Sequence, residues 1–435
     1  MIFFETLRNR VFWSMDFLKG GKMLRHFKEI KYIYENYHSD KSNTLRKQNL
    51  DDLLSHAIST TPFYKSYKNY KSLQDFPVID KSLIKDNFEK FKSESYLLEK
   101  SFKVASSGST GTPFVLYQDI EKRRRNIADT IFFAKLSGYN LGQKLVFMRV
   151  WTDQNRKGRL SSWAQNIKMQ NVSNLKDDKI SEFINWLVND KSKKGILSYA
   201  STLEAICKYL DKTKSKPLNC NLSSIISNSE GLNEYTKESI EKYFKIPVVS
   251  RYSNAENGIF AQQNLIERYA FDVNWGSYFF EILKFDEDVA VKAGDVGRIV
   301  ITDLFNYCMP IIRYDTGDIG SIDINHKGIP VFKQVEGRRQ DIVYNTNGDL
   351  ISSFVIGGIM KKYNSLKQFQ FIQETKKDYL FKLNTEKKFS YENRLIEEFK
   401  EVMGSDSSIK IEYIDEIPPL ASGKQRQVVN NYNKD

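Results

Sequence analysis

The chain has 435 residues, 40% of them hydrophobic and 28% charged, with 24 tyrosines and 29 phenylalanines. That is too long for one ordinary core and too rich in large apolar side chains for a disordered chain, so two or more packed domains are expected. The net charge of +12 favours anionic partners, while three widely spaced cysteines and four scattered histidines exclude a disulfide framework and a metal-ligand pattern, which suits a cytoplasmic protein.

The chain opens on "MIFFETLRNRVFWSMDFL". Phe3, Leu7, Val11, Met15 and Leu18 recur at helical spacing, and charges interrupt them too often for a signal peptide. Such a stripe is expected to pack on the protein's own core or on a dimer partner; an amphipathic helix at the inner face of a membrane is the second reading. No uncharged stretch is long enough to span a bilayer. Up to about Lys103 the chain reads as mainly helical. Leu53, Leu54 and Ala57 fall on one helix face, and Asp80 is an N-cap candidate in "FPVIDKSLIKDNFEKF".

"FVLYQD" reads as a strand, followed by a helix from Ile120 to Leu136 that Gly138 closes. The densest basic stretches are "EKRRRN" (Glu121 to Asn126) and "YKSYKNYK" (Tyr64 to Lys71). The second interleaves aromatics with lysines as a nucleic-acid groove does. Without a recognisable binding module, nucleic acid is not the expected partner, and a solvated basic surface is the plainer reading.

Alternation follows. "KLVFMRVW", "GILSYA", "LSSIISN" and "IPVVSRYS" read as strands, separated by the helices "KISEFINWLVN", "TLEAICKYLD" and "TKESIEKYF". Strands alternating with helices of this length predict a parallel sheet covered by helices. From about Tyr278 to Val335 the pattern turns to β-hairpins, and from about Asp341 it reads β-α-β-β-α-β. The expected fold class is therefore α/β. A large N-terminal domain at 1–340, mainly helical over 1–103, carries helix-covered, mostly parallel sheets and a β-rich subdomain; a small α+β C-terminal domain occupies 341–435.

Between the first two strand-like segments lies "SSGSTGT". Gly108 and Gly111 let the backbone come close to a ligand, and Ser106, Ser107, Ser109, Thr110 and Thr112 offer hydroxyl donors. It is no Walker loop, because Pro113 stands where that motif needs its second glycine and no lysine follows. Taken alone, the stretch reads equally as a phosphate cradle or a surface turn. Four motifs follow it in order: "RYSNAENG" (Arg251 to Gly258), "MPIIRYDTGDIG" (Met309 to Gly320), "EGRRQDIV" (Glu336 to Val343) and "PPLASGKQRQVV" (Pro418 to Val429). The third-from-last of them is read as ending a strand in a turn that carries Asp315 and Asp318.

This ordered set resembles the adenylate-forming superfamily of acyl-CoA synthetases, peptide-synthetase adenylation domains and luciferases. Within it the chain looks most like the phenylacetate–CoA ligase branch and the CapK-type proteins of capsular-polysaccharide biosynthesis, whose N-terminal region "SHAISTTPFYKSY" and "FPVIDKSLIKDNF" resemble. The resemblance implies that Ser106 to Thr112 cradle the ATP phosphates. It implies that Tyr252 stacks on adenine, with Ser229, Glu230 and Gly231 nearby and Ser253 and Asn254 alongside. Glu256 then holds magnesium against the phosphates, Asp318 accepts the ribose hydroxyls, and Arg338 supports ribose or phosphate. Asp341 becomes the hinge of a mobile small domain, and Lys424 reaches the α-phosphate and carboxylate in the transition state. Two positions depart from the pattern: Ala255 stands where a Thr or Ser is usual, and Phe114 where many synthetases have lysine.

The implied reaction is ATP-dependent activation of a carboxylate, with release of pyrophosphate and transfer of the acyl group to an amine, hydroxyl or thiol acceptor. The implied cofactors are ATP and magnesium, with coenzyme A as one candidate acceptor. Three readings remain. The first is a ligase of capsule or O-antigen assembly that forms an amide or ester on a glycan or a nucleotide- or lipid-linked sugar. The second is a coenzyme A ligase for a small acid, and the third a degenerate relative that binds nucleotide or RNA without turnover.

Overall fold

A computed structural model of the protein describes residues 2–96, 101–106, 114–153, 155–173, 175–338, 343–351, 353–360, 362–363, 365–385, 389–418 and 427–432. Several of the early helices begin at capping residues. After α1 (Ile2–Leu18) and α2 (Lys22–Glu35), Ser39 caps α3 (Asp40–Thr60) by accepting from Ser42 N, and Asp80 caps α4 (Lys81–Asp86) by accepting from Leu83 N at 2.7 Å. β1 (Phe102–Ser106) and β2 (Phe114–Gln118) form an antiparallel pair in which Ser106 faces Phe114. The stretch "SSGSTGT" therefore lies between two strands, as its flanks predict. Asp119 caps α5 (Ile120–Leu136) through one carboxylate oxygen, while the other accepts from Tyr307 N at 2.9 Å. Gly138 takes φ +94°, and a Cβ there would meet Ser223 O at 2.5 Å, so only glycine closes this helix.

The next elements are β3 (Lys144–Arg149), α6 (Arg159–Ala164), β4 (Ile167–Asn171), α7 (Asp177–Asn189), β5 (Lys194–Tyr199), α8 (Ala200–Lys212), β6 (Leu222–Asn228), α9 (Glu234–Phe244) and β7 (Val248–Asn254). Then come β8 (Gly258–Gln263), β9 (Phe271–Val273), β10 (Tyr278–Leu283), β11 (Gly297–Asp303), β12 (Tyr314–Ile324) and β13 (Pro330–Arg338). They make one 11-stranded sheet in the order β10-β11-β12-β13-β9-β8-β7-β6-β5-β3-β4. From β4 to β7 the strands are parallel, and from β7 onward the paired strands run antiparallel. The β-rich part thus continues the helix-covered part. Apolar residues at the centre of the strands, among them Ile225, Ile226, Val249, Phe260, Ile299 and Ile301, are buried and build the core. β4 and α6 carry no apolar run, which is why sequence pattern passed over them; β4 is an edge strand and half-exposed.

The two basic stretches are used differently: the first buries Lys122 and Arg125, and the second packs its tyrosines inward and leaves Lys65, Lys68 and Lys71 exposed. Lys122 Nζ lies 2.6 Å from Asp303 Oδ2, with both side chains fully buried, and Arg125 donates to Glu29 at 2.8 Å and to Ser277 Oγ at 2.8 Å. Tyr64 is buried, Tyr67 stacks on Phe76 at 5.6 Å, and Tyr70 packs on the same ring at 5.1 Å. The exposed lysines of the second stretch form a solvated basic surface, while its tyrosines and the Lys122 and Arg125 charges of the first pack in the interior.

Helix α1 turns its polar side, and not the stripe, toward the rest of the chain. Its inward face is the one with Asn9, which donates to Leu141 O at 3.1 Å, Trp13, whose ring meets Phe27 at 5.6 Å, and Asp16, whose carboxylate accepts from Met23 N and Leu24 N at the start of α2. Phe3, Leu7, Val11, Met15 and Leu18 are all exposed. The stripe does not pack on the protein's own core, because the polar anchors decide which face turns in.

The chain divides into two compact units: Met1–Ser229 with Ser239–Val335, and Glu230–Glu238 with Glu336–Asp435. The second contains β14 (Val343–Tyr344), β15 (Leu350–Ile351), α10 (Ser353–Met360), β16 (Leu366–Gln373), β17 (Asp378–Thr385), α11 (Glu392–Met403), β18 (Ser408–Tyr413) and β19 (Val428–Asn430). Its four-stranded sheet has the order β18-β17-β16-β19. Leu395, Phe399 and Met403 of α11 follow helical spacing and are buried with Phe371 and Phe381. Among the described residues of both units, no helix is long and apolar enough to cross a membrane.

Candidate active site

The site is built where the parallel half of the sheet gives way to the antiparallel half. β7 ends at Asn254, and the turn to β8 is held by Asn254 Oδ1, which accepts from Asn257 N at 2.8 Å. That turn leaves Ala255 exposed and buries Glu256 to 2%. The carboxylate of Glu256 is met by Lys81 Nζ at 2.8 Å and by Tyr314 Oη at 3.4 Å, and its backbone oxygen accepts from Gln118 Nε2 at 2.8 Å. Ser253 sits at a register shift between β7 and β8, which turns the end of β7 out of regular pairing.

The Tyr-Asp-Thr-Gly-Asp stretch does not end a strand in a turn. It begins β12 and forms a bulge inside it. Arg298 faces Ile319 and Val300 faces Asp315, so Thr316, Gly317 and Asp318 together oppose Ile299. Local hydrogen bonds hold the bulge: Thr316 Oγ1 donates to Ile299 O at 2.9 Å, and Asp315 accepts from Gly317 N and from Arg298 at 2.8 Å each. Gly317 has φ +78°, a conformation that side chains resist. Asp315 is thus a brace. Asp318 is the carboxylate the bulge presents, and it accepts from Tyr252 Oη at 2.8 Å.

β13, β9 and β8 lie between β12 and β7 in the sheet, yet Tyr252–Asp318 and Glu256–Tyr314 cross that interval. The sheet curls enough for its two halves to share one site. Tyr252 is wedged between Phe260 at 5.1 Å and Phe332 at 6.0 Å. Burial, and then the Asp318 charge, hold its hydroxyl well above the usual tyrosine range, so it stays a donor.

Lys81 is the residue that sequence reasoning missed. In sequence the stretch "FPVIDKSLIKDNF" offers a helix cap and a resemblance, and neither singles out Lys81. Ile79 is stitched to β12, with its N–H donating to Arg313 O at 2.9 Å and its carbonyl accepting from Asp315 N at 2.8 Å. Asp80 then starts α4, which delivers Lys81 to Glu256. Phe114, standing where many synthetases have lysine, is buried and stacks parallel to Tyr314, and Lys81 Nζ lies 5.5 Å over its ring. A cation from α4 thus stands beside both Phe114 and Glu256. Lys81 keeps 37% of its side chain exposed, so it is open to a ligand as well as to Glu256.

A second group of polar atoms lines the same edge. The ends of β3, β5 and β6 carry Arg149 Nε, Ser198 Oγ, Ser227 Oγ and Asn228 Oδ1, each buried without a protein hydrogen-bond partner. Ser198 and Ser227 are register partners on neighbouring strands. Polar atoms buried in this way hold free energy that a ligand or water can recover. In parallel sheets ligands bind at the carboxyl ends of the strands, where this edge lies.

Ser229 follows β6 in a left-handed conformation, φ +69°, which a non-glycine residue adopts only under constraint. Glu230 and Gly231 follow it and are counted with the second unit. Ser106 is the last residue of β1. Ser107, Gly108, Ser109, Thr110, Gly111 and Thr112 lie outside the described residues, as do Asp341 and Lys424; Arg338 ends β13, with its side chain outside the description. Among the described residues no cluster of three or more His, Cys, Asp or Glu could hold a metal by itself. The donor set fits magnesium carried on a nucleotide: one buried carboxylate, Glu256, with phosphate oxygens supplying the other ligands.

Residues 343–431 match the CapK C-terminal domain family. Along 98% of its length the chain is 21% identical to Protein CapK of Staphylococcus aureus, covering 96% of that protein. It is similar in structure to a 2-hydroxyisobutyryl-CoA ligase bound to 2-HIB-AMP in the postadenylation state, with TM-score 0.71, 15% identity and 90% of each chain covered. It is also similar to the amide bond synthetase McbA from Marinactinospora thermotolerans, with TM-score 0.55, 12% identity, and 75% of this chain and 68% of that one covered. The chain has the fold of the adenylate-forming ligases and carries a CapK-type C-terminal domain.

Proposed function

We propose that the chain is an ATP-dependent ligase that joins a carboxylate to the α-phosphate of ATP, releases pyrophosphate, and passes the acyl group to an acceptor. The observation that carries this reading is the meeting of Tyr252 with Asp318, and of Glu256 with Tyr314 and Lys81, across the curled sheet. A carboxylate oxygen of the substrate forms a bond to the α-phosphorus as the bond to pyrophosphate breaks. Negative charge develops on both sides of that phosphorus, and fixed cations and donors lower the barrier. In this reading the bulge presents Asp318 to the ribose hydroxyls, Tyr252 packs against adenine, and Ser106 to Thr112 contact the phosphates with Ser229, Glu230, Gly231, Ser253, Asn254 and Arg338 near the nucleotide. Lys81, beside Phe114 and Glu256, is a further cation at this site. Lys424 stabilises the charge passing between carboxylate and α-phosphate, and Asp341 is the hinge that brings it there. Magnesium, held by Glu256 with phosphate oxygens, would neutralise charge on the departing pyrophosphate.

The acyl group belongs at the ends of β3, β5 and β7. Ser198 with Ser227 on one face of these strands, and Arg149 with Asn228 on the other, are unpartnered pairs, and a guest at either pair is favoured as a polar, oxygen-bearing acid over a plain aryl acid, since an apolar guest would leave the pair unmet. Together with the likeness to Protein CapK, this supports a role in surface-polysaccharide assembly, with an amine or hydroxyl of a glycan as acceptor. The structural likeness to a CoA ligase supports the second reading, transfer to coenzyme A.

The test is pyrophosphate release with ATP and magnesium over a panel of hydroxy acids, uronic-acid glycans, amino acids and aryl acids, each with and without coenzyme A. Release with a hydroxylated or uronic acid, independent of coenzyme A, is the expected result. Strict dependence on coenzyme A selects the second reading. Tight ATP binding with silence across the panel supports the degenerate relative.

A further inference from the structure

The outward face of α1 has no use in the fold. Phe3 is 72% exposed, Phe17 75% and Leu18 83%, and Phe4, Leu7, Val11 and Met15 are exposed with them. The opposite face is held by Asn9, Trp13 and Asp16, so rolling the helix to bury the stripe would break the Asn9–Leu141 hydrogen bond and the cap on α2. A contiguous run of exposed aromatic and aliphatic side chains over a whole helix marks an interaction surface.

A second exposed apolar pair lies beside it. Leu160 is 83% and Trp163 72% exposed on α6. The Leu141–Gln143 turn links α1 to the segment that follows α6: Leu141 O accepts from Asn9 of α1, and Gly142 O accepts from Asn166, two residues beyond α6, at 3.0 Å. Gly142 has φ +102°, and a Cβ there would stand 2.2 Å from Glu5 O, so glycine lets α1 seat against this turn.

The exposed charge around these side chains is mostly basic, with half-buried Glu5 on α1 and exposed Asp153 before the α6 stretch as the acids. Arg10 and Lys19 are exposed on and just after α1, and exposed Arg156 and Arg159 precede Leu160. Of the two acids in α1, Asp16 is buried as a cap and Glu5 is half-buried; the sequence from Asn155 to Lys176 contains no acid at all. Exposed Phe, Leu and Trp ringed by arginine and lysine are suited to the headgroup boundary of an anionic bilayer. A second copy of the chain is a poorer occupant, because a two-fold interface would set these like charges against each other.

We propose that α1 and α6 together form a docking surface for anionic phospholipid membranes, with the apolar side chains entering the acyl boundary and the arginines and lysines facing the phosphates. The surface uses no residue of the nucleotide site, so its failure leaves the ligase reading untouched.

The test is cosedimentation of the full chain with vesicles of phosphatidylcholine alone and of three parts phosphatidylcholine to one part phosphatidylglycerol. Binding to the anionic vesicles is expected to be at least about tenfold tighter and to weaken with added salt. Phe4→Ser with Leu7→Ser, and separately Trp163→Ser, are expected to weaken it by about tenfold each with Tm unchanged, since all three side chains lie on the surface. Light scattering reads the alternative. No vesicle binding, or equal binding by parent and variants, overturns the proposal. So does a dimer that the same substitutions dissociate, which assigns the stripe to a second copy.

Discussion

Lys424→Ala is expected to lower pyrophosphate release by about 100- to 1000-fold while ATP still binds with its parent affinity. The reason lies in when the lysine acts. Charge on the carboxylate and α-phosphate builds only as the phosphorus–oxygen bond forms, so a cation placed there stabilises the transition state more than the bound nucleotide. Lys424 stands in "SGKQR", a short stretch near the C-terminus, where an ordinary lysine would tolerate alanine without effect. Single-turnover release and equilibrium binding of ATP, measured on the same preparation, separate the two roles. A parallel loss of both would make Lys424 a binding residue, and equal activity would remove it from the site.

Glu256→Gln is expected to cost about 100-fold in adenylation and to raise the magnesium concentration needed for half-maximal rate by about tenfold. The substitution keeps shape and removes one charge. Its partner Lys81 is 37% exposed and can take water in exchange, and the Tyr314 hydroxyl can donate to an amide oxygen as well. The fold should therefore survive, with Tm within a few degrees of the parent. A magnesium titration of the initial rate, beside a thermal melt, checks both halves. If the rate falls but magnesium dependence does not move, Glu256 acts by orienting Lys81 rather than by holding the ion. An unchanged rate would exclude it from catalysis.

Much of the fold can be read from the sequence because the parallel strands are runs of apolar residues divided by well-patterned helices. β6 spans Leu222–Asn228 and α5 spans Ile120–Leu136, as their patterns predict, since burial and capping there agree with local propensity. β4 and α6 lack that agreement. They gain order from lying at the sheet's edge, which no local pattern states. The bulge in β12 is a similar case. "YDTGD" has the composition of a turn, and only pairing with β11 shows that it stays within the strand while pushing Asp318 out. Lys81 was hidden for a different reason. A lysine after an N-cap is ordinary in sequence, and it acquires meaning only when Ile79 is stitched to β12 and Glu256 is turned inward. The stripe on α1 was legible as a stripe but not as to direction, because the choice of inward face rests on Asn9 and Asp16 finding partners far along the chain or in the next helix.

The central claim is that the substrate's carboxylate attacks the α-phosphorus of ATP. It is tested most directly with the acid that releases pyrophosphate, labelled with oxygen-18 in its carboxylate and carried through to the acceptor. The account predicts one labelled oxygen in the phosphate of AMP. Label in inorganic phosphate, with ADP as the nucleotide product, would show attack at the γ-phosphorus and contradict it.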